Sequence, residues 1–231
     1  MITALRHRKN KHAAAMAAAY WNKPLANRGW YRIDASADTA EILIYDVVGW
    51  PFIEAEQFVR DLARIDADEI TVRINSPGGD VFDGMAIYNA LKVHKARIVA
   101  SVDSLAASMA SVIALAGDEV RAHRNAMYMV HEPYMLTMGN QHELRADADD
   151  LAKITDNMVD IYAGKSGKDA EAVRELLLAN NTGGTFLKAA EALDFGFVDT
   201  VIDDPAAQAQ AAFSRGDIDM LNDLTNKLRR K

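Results

Sequence analysis

Two side chains in this sequence are of the types that acyl-transfer chemistry needs: the hydroxyl of Ser108 and the imidazole of His131. Ser108 lies in residues 101–111 (SVDSLAASMAS), a small, weakly polar stretch. An apolar, strand-like run, residues 96–100 (ARIVA), precedes it, and a helical pattern with Met109, Val112, Ile113 and Ala116 on one face follows. A strand that breaks into a helix through small residues can hold a hydroxyl at a sharp turn, with the first N–H groups of the helix aimed at whatever the hydroxyl attacks. The same composition also suits an ordinary packing helix opened by a serine N-cap. His131 ends the apolar run MYMV of residues 127–130 at a polar break, which holds its backbone in a sheet and its ring at the sheet edge. Alone it reads as structural; beside a serine on a strand–helix turn it becomes a general base. The third stretch is residues 75–80 (NSPGGD), directly after the strand-like ITVRI of residues 70–74. Its proline fixes one backbone angle and its glycines admit left-handed ones. Such a turn is either a plain connection, capped by Asp80 or Asp83, or a presenter of bare N–H groups of the kind a tetrahedral oxyanion needs.

Other chemistries find no support. The chain has no cysteine, which excludes disulfides, thiolate metal sites and a thiol nucleophile. None of its six histidines (His7, His12, His94, His123, His131, His142) forms a helical pair beside a carboxylate cluster that looks buried, so no metal is expected. Gly164-Lys165-Ser166 lacks the earlier glycine of a phosphate loop, that place being Val159, and no nucleotide or other cofactor is expected. Asn180-Asn181-Thr182 matches a glycosylation sequon, which has meaning only in an exported protein. A net charge of −7 argues against a general nucleic-acid binder. No apolar run approaches the roughly 18–20 residues of a membrane span.

The elements that must position these residues follow from periodicity. At 231 residues and 50% hydrophobic content, the chain can build one large domain or two small ones. Residues 1–29 form a basic, Ala-rich extension; through residue 33 the chain carries Arg6, Arg8, Lys9, Lys11, Lys23, Arg28 and Arg32 and no acid. A cleavable leader cut near Ala19 is one reading of this start, but alanine is a weak core for such a leader and a cytoplasmic location is expected. Residues 30–203 form the main domain. Strands are expected over 30–33, 41–47, 70–74, 96–102, 119–122, 127–130 and 197–202, and helices over 54–65, 80–93, 139–164, 166–180 and 187–195. This alternation means an α/β layered fold. The helix over 139–164 has a narrow apolar stripe (Leu144, Ala148, Leu151, Met158, Tyr162) opposite a charged face, so it packs on something small or docks on another subunit. Residues 204–231 read as an Ala-rich and then charged helical tail.

Taken together, RINSPGGDVFDGMAIYNAL (73–91), DSLAASMASVIALAGDE (103–119), NAMYMVHEP (125–133) and FLKAAEALDFGFVD (186–199) make the chain resemble the ClpP family of serine peptidases. The likeness runs from about residue 30 to 202 and looks nearest to ClpP-related head-maturation proteases of phages and prophages. The resemblance implies a spiral of ββα units, the fold shared with crotonases, with a protruding helical handle at about 139–164. It implies Ser108 as nucleophile, His131 as base, and oxyanion N–H groups from Gly79 and Met109. The family's third member is an aspartate just before the Phe-Leu pair, and here that place reads Gly183-Gly184-Thr185. The orienting role falls to Thr185, to a backbone carbonyl, or to a displaced acid such as Asp156 or Asp160. The resemblance further implies homo-oligomeric rings with the sites inside a chamber, protein or peptide substrates, and an ATPase partner wherever unfolding energy is used. Three functions compete: an endopeptidase acting on phage capsid or scaffold proteins (or a general ATPase-coupled proteolytic subunit), a catalytically weak ring subunit with an assembly role, and a crotonase-type acyl-CoA enzyme. Ser108 and His131 together count against the last.

Overall fold

The computed structural model describes residues 31–35, 38–179 and 184–203. The expected extension 1–29, the sequon at 180–182 and the expected tail 204–231 lie outside the described residues.

The centre is a parallel sheet made of β2 (Thr39–Ile44), β3 (Glu69–Ser76), β4 (Arg97–Ala107), β5 (Glu119–His123) and β8 (Thr200–Ile202), neighbours in that order. The first strand, β1 (Tyr31–Ala35), closes one edge antiparallel to β2. In β3 the alternation is strict: Ile70, Val72, Ile74 and Ser76 are buried, while the residues between them face outward. Period-two burial of this kind fixes the register, since a one-residue slip would turn the apolar set to solvent. β4 differs: Ile98–Val102 is buried without a break, as in a central strand covered on both faces.

The helices α1 (Ala55–Leu62) and α2 (Val81–Lys92) connect successive strands and bury Ala55, Phe58 and Leu62, and Gly84, Ile87 and Leu91, respectively. α3 (Met109–Ala114) follows β4 directly. A single apolar face was expected for it; all six of its residues are buried, so it is a core helix wrapped on every side.

The expected end of β4 near residue 102 also needs correction. Its backbone stays extended to Ala107 because the strand changes partners: Val99–Val102 pairs with β5, and Leu105–Ala107 with β6 (Met127–Val130), both in parallel. The sheet thus forks at β4. β7 (Thr185–Lys188), whose last two residues were expected to open the helix over 187–195, is a short strand antiparallel to β6.

Next in the chain comes α4 (Gln141–Ser166). Asn140 caps it, accepting from His142 N–H at 2.9 Å, while Glu143 Oε2 accepts from Asn140 N–H at 2.7 Å; Gly167 (φ 68°) ends it. Its buried residues are Thr155, Met158, Val159 and Tyr162, all in its second half. The first half projects, with Leu144 43% exposed, so the stripe read from sequence is covered only at one end within this chain. Residues 131–140, which lead into it, have no regular structure and leave Tyr134, Leu136 and Met138 exposed. α5 (Ala170–Leu178), capped by Asp169, and α6 (Ala189–Phe195) complete the described elements. No helix among the described residues is long and apolar enough to cross a membrane.

Candidate active site

The junction of β4 and α3 puts Ser108 at a turn that ordinary residues avoid. Its φ is 53° and its ψ −127°, the one positive φ at a non-glycine position among the described residues. Such a conformation is strained by about 1–3 kcal/mol and persists only where neighbours over-determine it. Here Ser108 N–H donates to Met129 O at 2.8 Å, which ties the turn to β6. The hydroxyl caps nothing in α3, although Ser108 occupies the N-cap place. It instead meets His131 Nε2 at 2.6 Å.

His131 follows the last residue of β6, so the strand fork that carries Ser108 also carries its partner. The ring is half-buried, and burial lowers its pKa; a hydrogen bond with the Glu132 backbone pushes the other way. With Nε2 on the Ser108 hydroxyl, a general base needs the tautomer whose proton sits on Nδ1, which leaves Nε2 free to accept the serine proton.

The turn after β3 supplies the third part. Gly78 (φ 87°) and Gly79 (φ 151°) both have backbone angles that L side chains rarely adopt. Val48 N–H donates to Gly78 O at 2.9 Å and Asp80 N–H to Val48 O at 2.8 Å, while Ser76 Oγ accepts from Gly78 N–H at 3.1 Å. Asp80 caps α2, accepting from Phe82 and Asp83 N–H at 2.9 Å. A Cβ on Gly78 would lie 2.7 Å from Met109 N and 2.8 Å from Ser108 Cβ, so glycine is what lets the turn press against the start of α3. Among the described residues, the N–H groups of Gly79 and Met109 donate to no internal acceptor. Met109 N–H is the first of the orphan donors every helix start leaves.

These parts face one cleft of about 920 Å³. Val47, Val81, Leu177, Leu178 and Tyr134 give it apolar walls, and among the described residues Glu132 is the one carboxylate that lines it. The contributions of α5 and of Glu132 had no signal in the sequence. Ser111, whose hydroxyl sits 2.6 Å from Ser108 O, was also missed, although its i+3 spacing from Ser108 on a helix was an available clue.

The candidates for orienting His131 are placed as follows. Thr185 opens β7 opposite Val130, but its hydroxyl donates to Leu176 O at 2.6 Å rather than to the ring. Asp156 pairs with Arg174 at 2.6 Å, and Asp160 is exposed on α4. Among the described residues no carboxylate is hydrogen-bonded to His131. Gly184, within the stretch that the resemblance matches to the family's aspartate, has φ 86°, and a Cβ there would lie 2.7 Å from Val130 O and 2.8 Å from His131 Cβ. His123 lies on β5 beside Asp103, 3.7 Å away, and not at Ser108.

Chemically, the arrangement can take a proton from a serine hydroxyl and hold a developing oxyanion on two N–H groups. The model of one protein family, described as Clp protease, matches residues 37–205. The ATP-dependent Clp protease proteolytic subunit of Deinococcus radiodurans is 34% identical over 155 residues, 64% of this chain and 74% of that protein. A solved structure of a ClpP1 mutant from Listeria monocytogenes, 23% identical, superposes with a TM-score of 0.62 over 72% of this chain and 92% of its own. The two share the α/β fold of parallel sheet and flanking helices.

Proposed function

The chain belongs to the Clp protease family, and from that premise we propose that it is a serine endopeptidase whose nucleophile is Ser108 and whose general base is His131. The observation that carries the reading is the 2.6 Å contact between Ser108 Oγ and His131 Nε2, made at a strained turn beside two unused N–H groups. In the reaction, Ser108 Oγ attacks the scissile carbonyl carbon as its proton passes to Nε2. The C=O becomes an oxyanion that accepts from Gly79 and Met109 N–H. Collapse of the tetrahedral intermediate breaks the C–N bond, and the amine leaves with the proton from His131. Water, deprotonated by the same ring, then hydrolyses the acyl-enzyme.

With no carboxylate on the His131 ring among the described residues, the imidazolium draws its stabilisation from the Glu132 backbone and the rate falls below that of a full triad. This same absence favours a second reading, an assembly subunit of weak activity. The substrate class we assign, phage capsid or scaffold proteins cleaved in the cytoplasm of the host, rests on the resemblance of the motif set to head-maturation proteases. Assembly into homo-oligomeric rings is supported by the projecting half of α4 and the exposed apolar residues before it. An ATPase on another chain would supply any unfolding energy. A fluorophosphonate probe tests the central assignment. Covalent capture at Ser108, abolished in Ser108→Ala and in His131→Ala, is the expected result; an assembled, folded protein that is never captured would favour the assembly reading instead.

A further inference from the structure

The carbonyl of Ser108 is held by groups that the reaction does not use. It accepts from Ser111 N–H at 2.9 Å and from Ser111 Oγ–H at 2.6 Å. Ser111 Oγ in turn lies 2.6 Å from the Tyr162 hydroxyl, on a helix 51 residues further along the chain. A serine hydroxyl has one proton. Donated to Ser108 O, it leaves Ser111 Oγ to accept, so the tyrosine must donate. The chain of bonds therefore runs from Tyr162 O–H to Ser111 O–H to the carbonyl of Ser108. Ser111 and Tyr162 are both 0% exposed, so water cannot take either place.

A trans peptide is planar, and its C=O and N–H point in opposite directions. The peptide whose carbonyl is clamped is the one between Ser108 and Met109. Fixing that carbonyl on the core side aims Met109 N–H at the opposite side, toward the cleft. The restraint matters because the backbone of Ser108 is strained and would relax by rotating this peptide. We propose that Ser111 and Tyr162 are positioning residues, a buried hydroxyl clamp that sets the direction of the Met109 N–H donor. The proposal rests on the reading of Ser108 as nucleophile and Met109 as oxyanion donor.

The test compares the full-length parent with Ser111→Ala, Ser111→Thr, Tyr162→Phe and the double variant Ser111→Ala/Tyr162→Phe. Four quantities are measured: fluorophosphonate capture rate, kcat and KM on an activated ester, affinity for a peptide aldehyde against the same peptide as its amide, and thermal midpoint. For Ser111→Ala we expect kcat and capture to fall about 10–100-fold, somewhat less than deleting an oxyanion donor outright. KM, amide affinity and the acid limb of the pH profile stay put, and aldehyde affinity drops with kcat. Tyr162→Phe, which leaves the Ser111 bond in place, loses only a few-fold. Ser111→Thr keeps the hydroxyl and stays near the parent rate. The double variant also removes the hydroxyl that Ser111→Ala strands without a partner, so its thermal midpoint returns toward the parent while kcat remains low. Recovery of kcat together with the midpoint would mean the clamp only stabilises the fold and would overturn the proposal, as would a Ser111→Ala protein captured at the parent rate. A parent that is itself never captured at Ser108 overturns the underlying site assignment, a failure seen before any clamp variant is made.

Discussion

At the scale of single residues, the strain at Ser108 has a measurable signature. At φ 53° and ψ −127° a glycine is at ease and an alanine is not. Ser108→Gly and Ser108→Ala should both be inactive, but the glycine protein should be the more stable, by about 1–3 kcal/mol, in urea or thermal unfolding. Equal stability would mean the turn is not strained. His131 supplies a second expectation. Burial is the larger influence and favours the neutral ring, so the pKa in the folded protein lies below the ordinary imidazole value of about 6.5. The base then stays unprotonated to lower pH, and the acid limb of kcat/KM should have its midpoint below about 6.5; a midpoint above it would contradict the burial argument. Folding stability follows the same sign. The unfolded chain takes up this proton more readily, so the His131 contribution is intact above the ordinary value and is lost as pH falls through the folded one. Ser108 and His131 were legible because each stands at a break between an apolar run and another pattern. The link between Ser111 and Tyr162 was not, since a contact across 51 residues leaves no mark on local spacing.

At the scale of elements, periodicity placed the helices and most of the strands, the short β5 and β6 included, and failed where pairing alone makes the strand. α1, α2 and α4 followed their apolar spacing, with α4 found two residues later than expected at both ends because Asn140 and Gly167 cap it. β7 was missed because the four residues TFLK carry no alternating pattern and become a strand only through pairing with β6. The length of β4 was missed for a related reason: its last residues are extended by a partner that lies beyond the next strand. For α4 the consequence concerns assembly. Its buried residues lie in the second half, so the first half contributes little to the fold of one subunit. Leu144→Glu should therefore reduce the oligomer while leaving helical content and the unfolding midpoint nearly unchanged, as read by light scattering beside circular dichroism. A variant that unfolds outright would show that the first half of α4 belongs to the core of a single chain.

At the scale of the whole molecule, the α/β class was readable from alternating patterns, whereas the fork in the sheet was not, because no local signal announces which strands share a neighbour. That fork decides how the protein can come apart. β4 is the common neighbour in two pairings, with β5 on its first half and β6 on its second, and the candidate nucleophile and base hang from the second. Both branches hang from one continuous strand, which β3 holds along its other side. Local opening would then be no cheaper at the site than for the molecule as a whole. Amide protons of residues 105–108 should exchange only at the rate set by global unfolding, and in rising denaturant the loss of activity should coincide with the loss of secondary structure. Exchange of these amides well ahead of those of β3 would point to a second branch that melts by itself, and so to a protein able to switch its chemistry off while its scaffold stands.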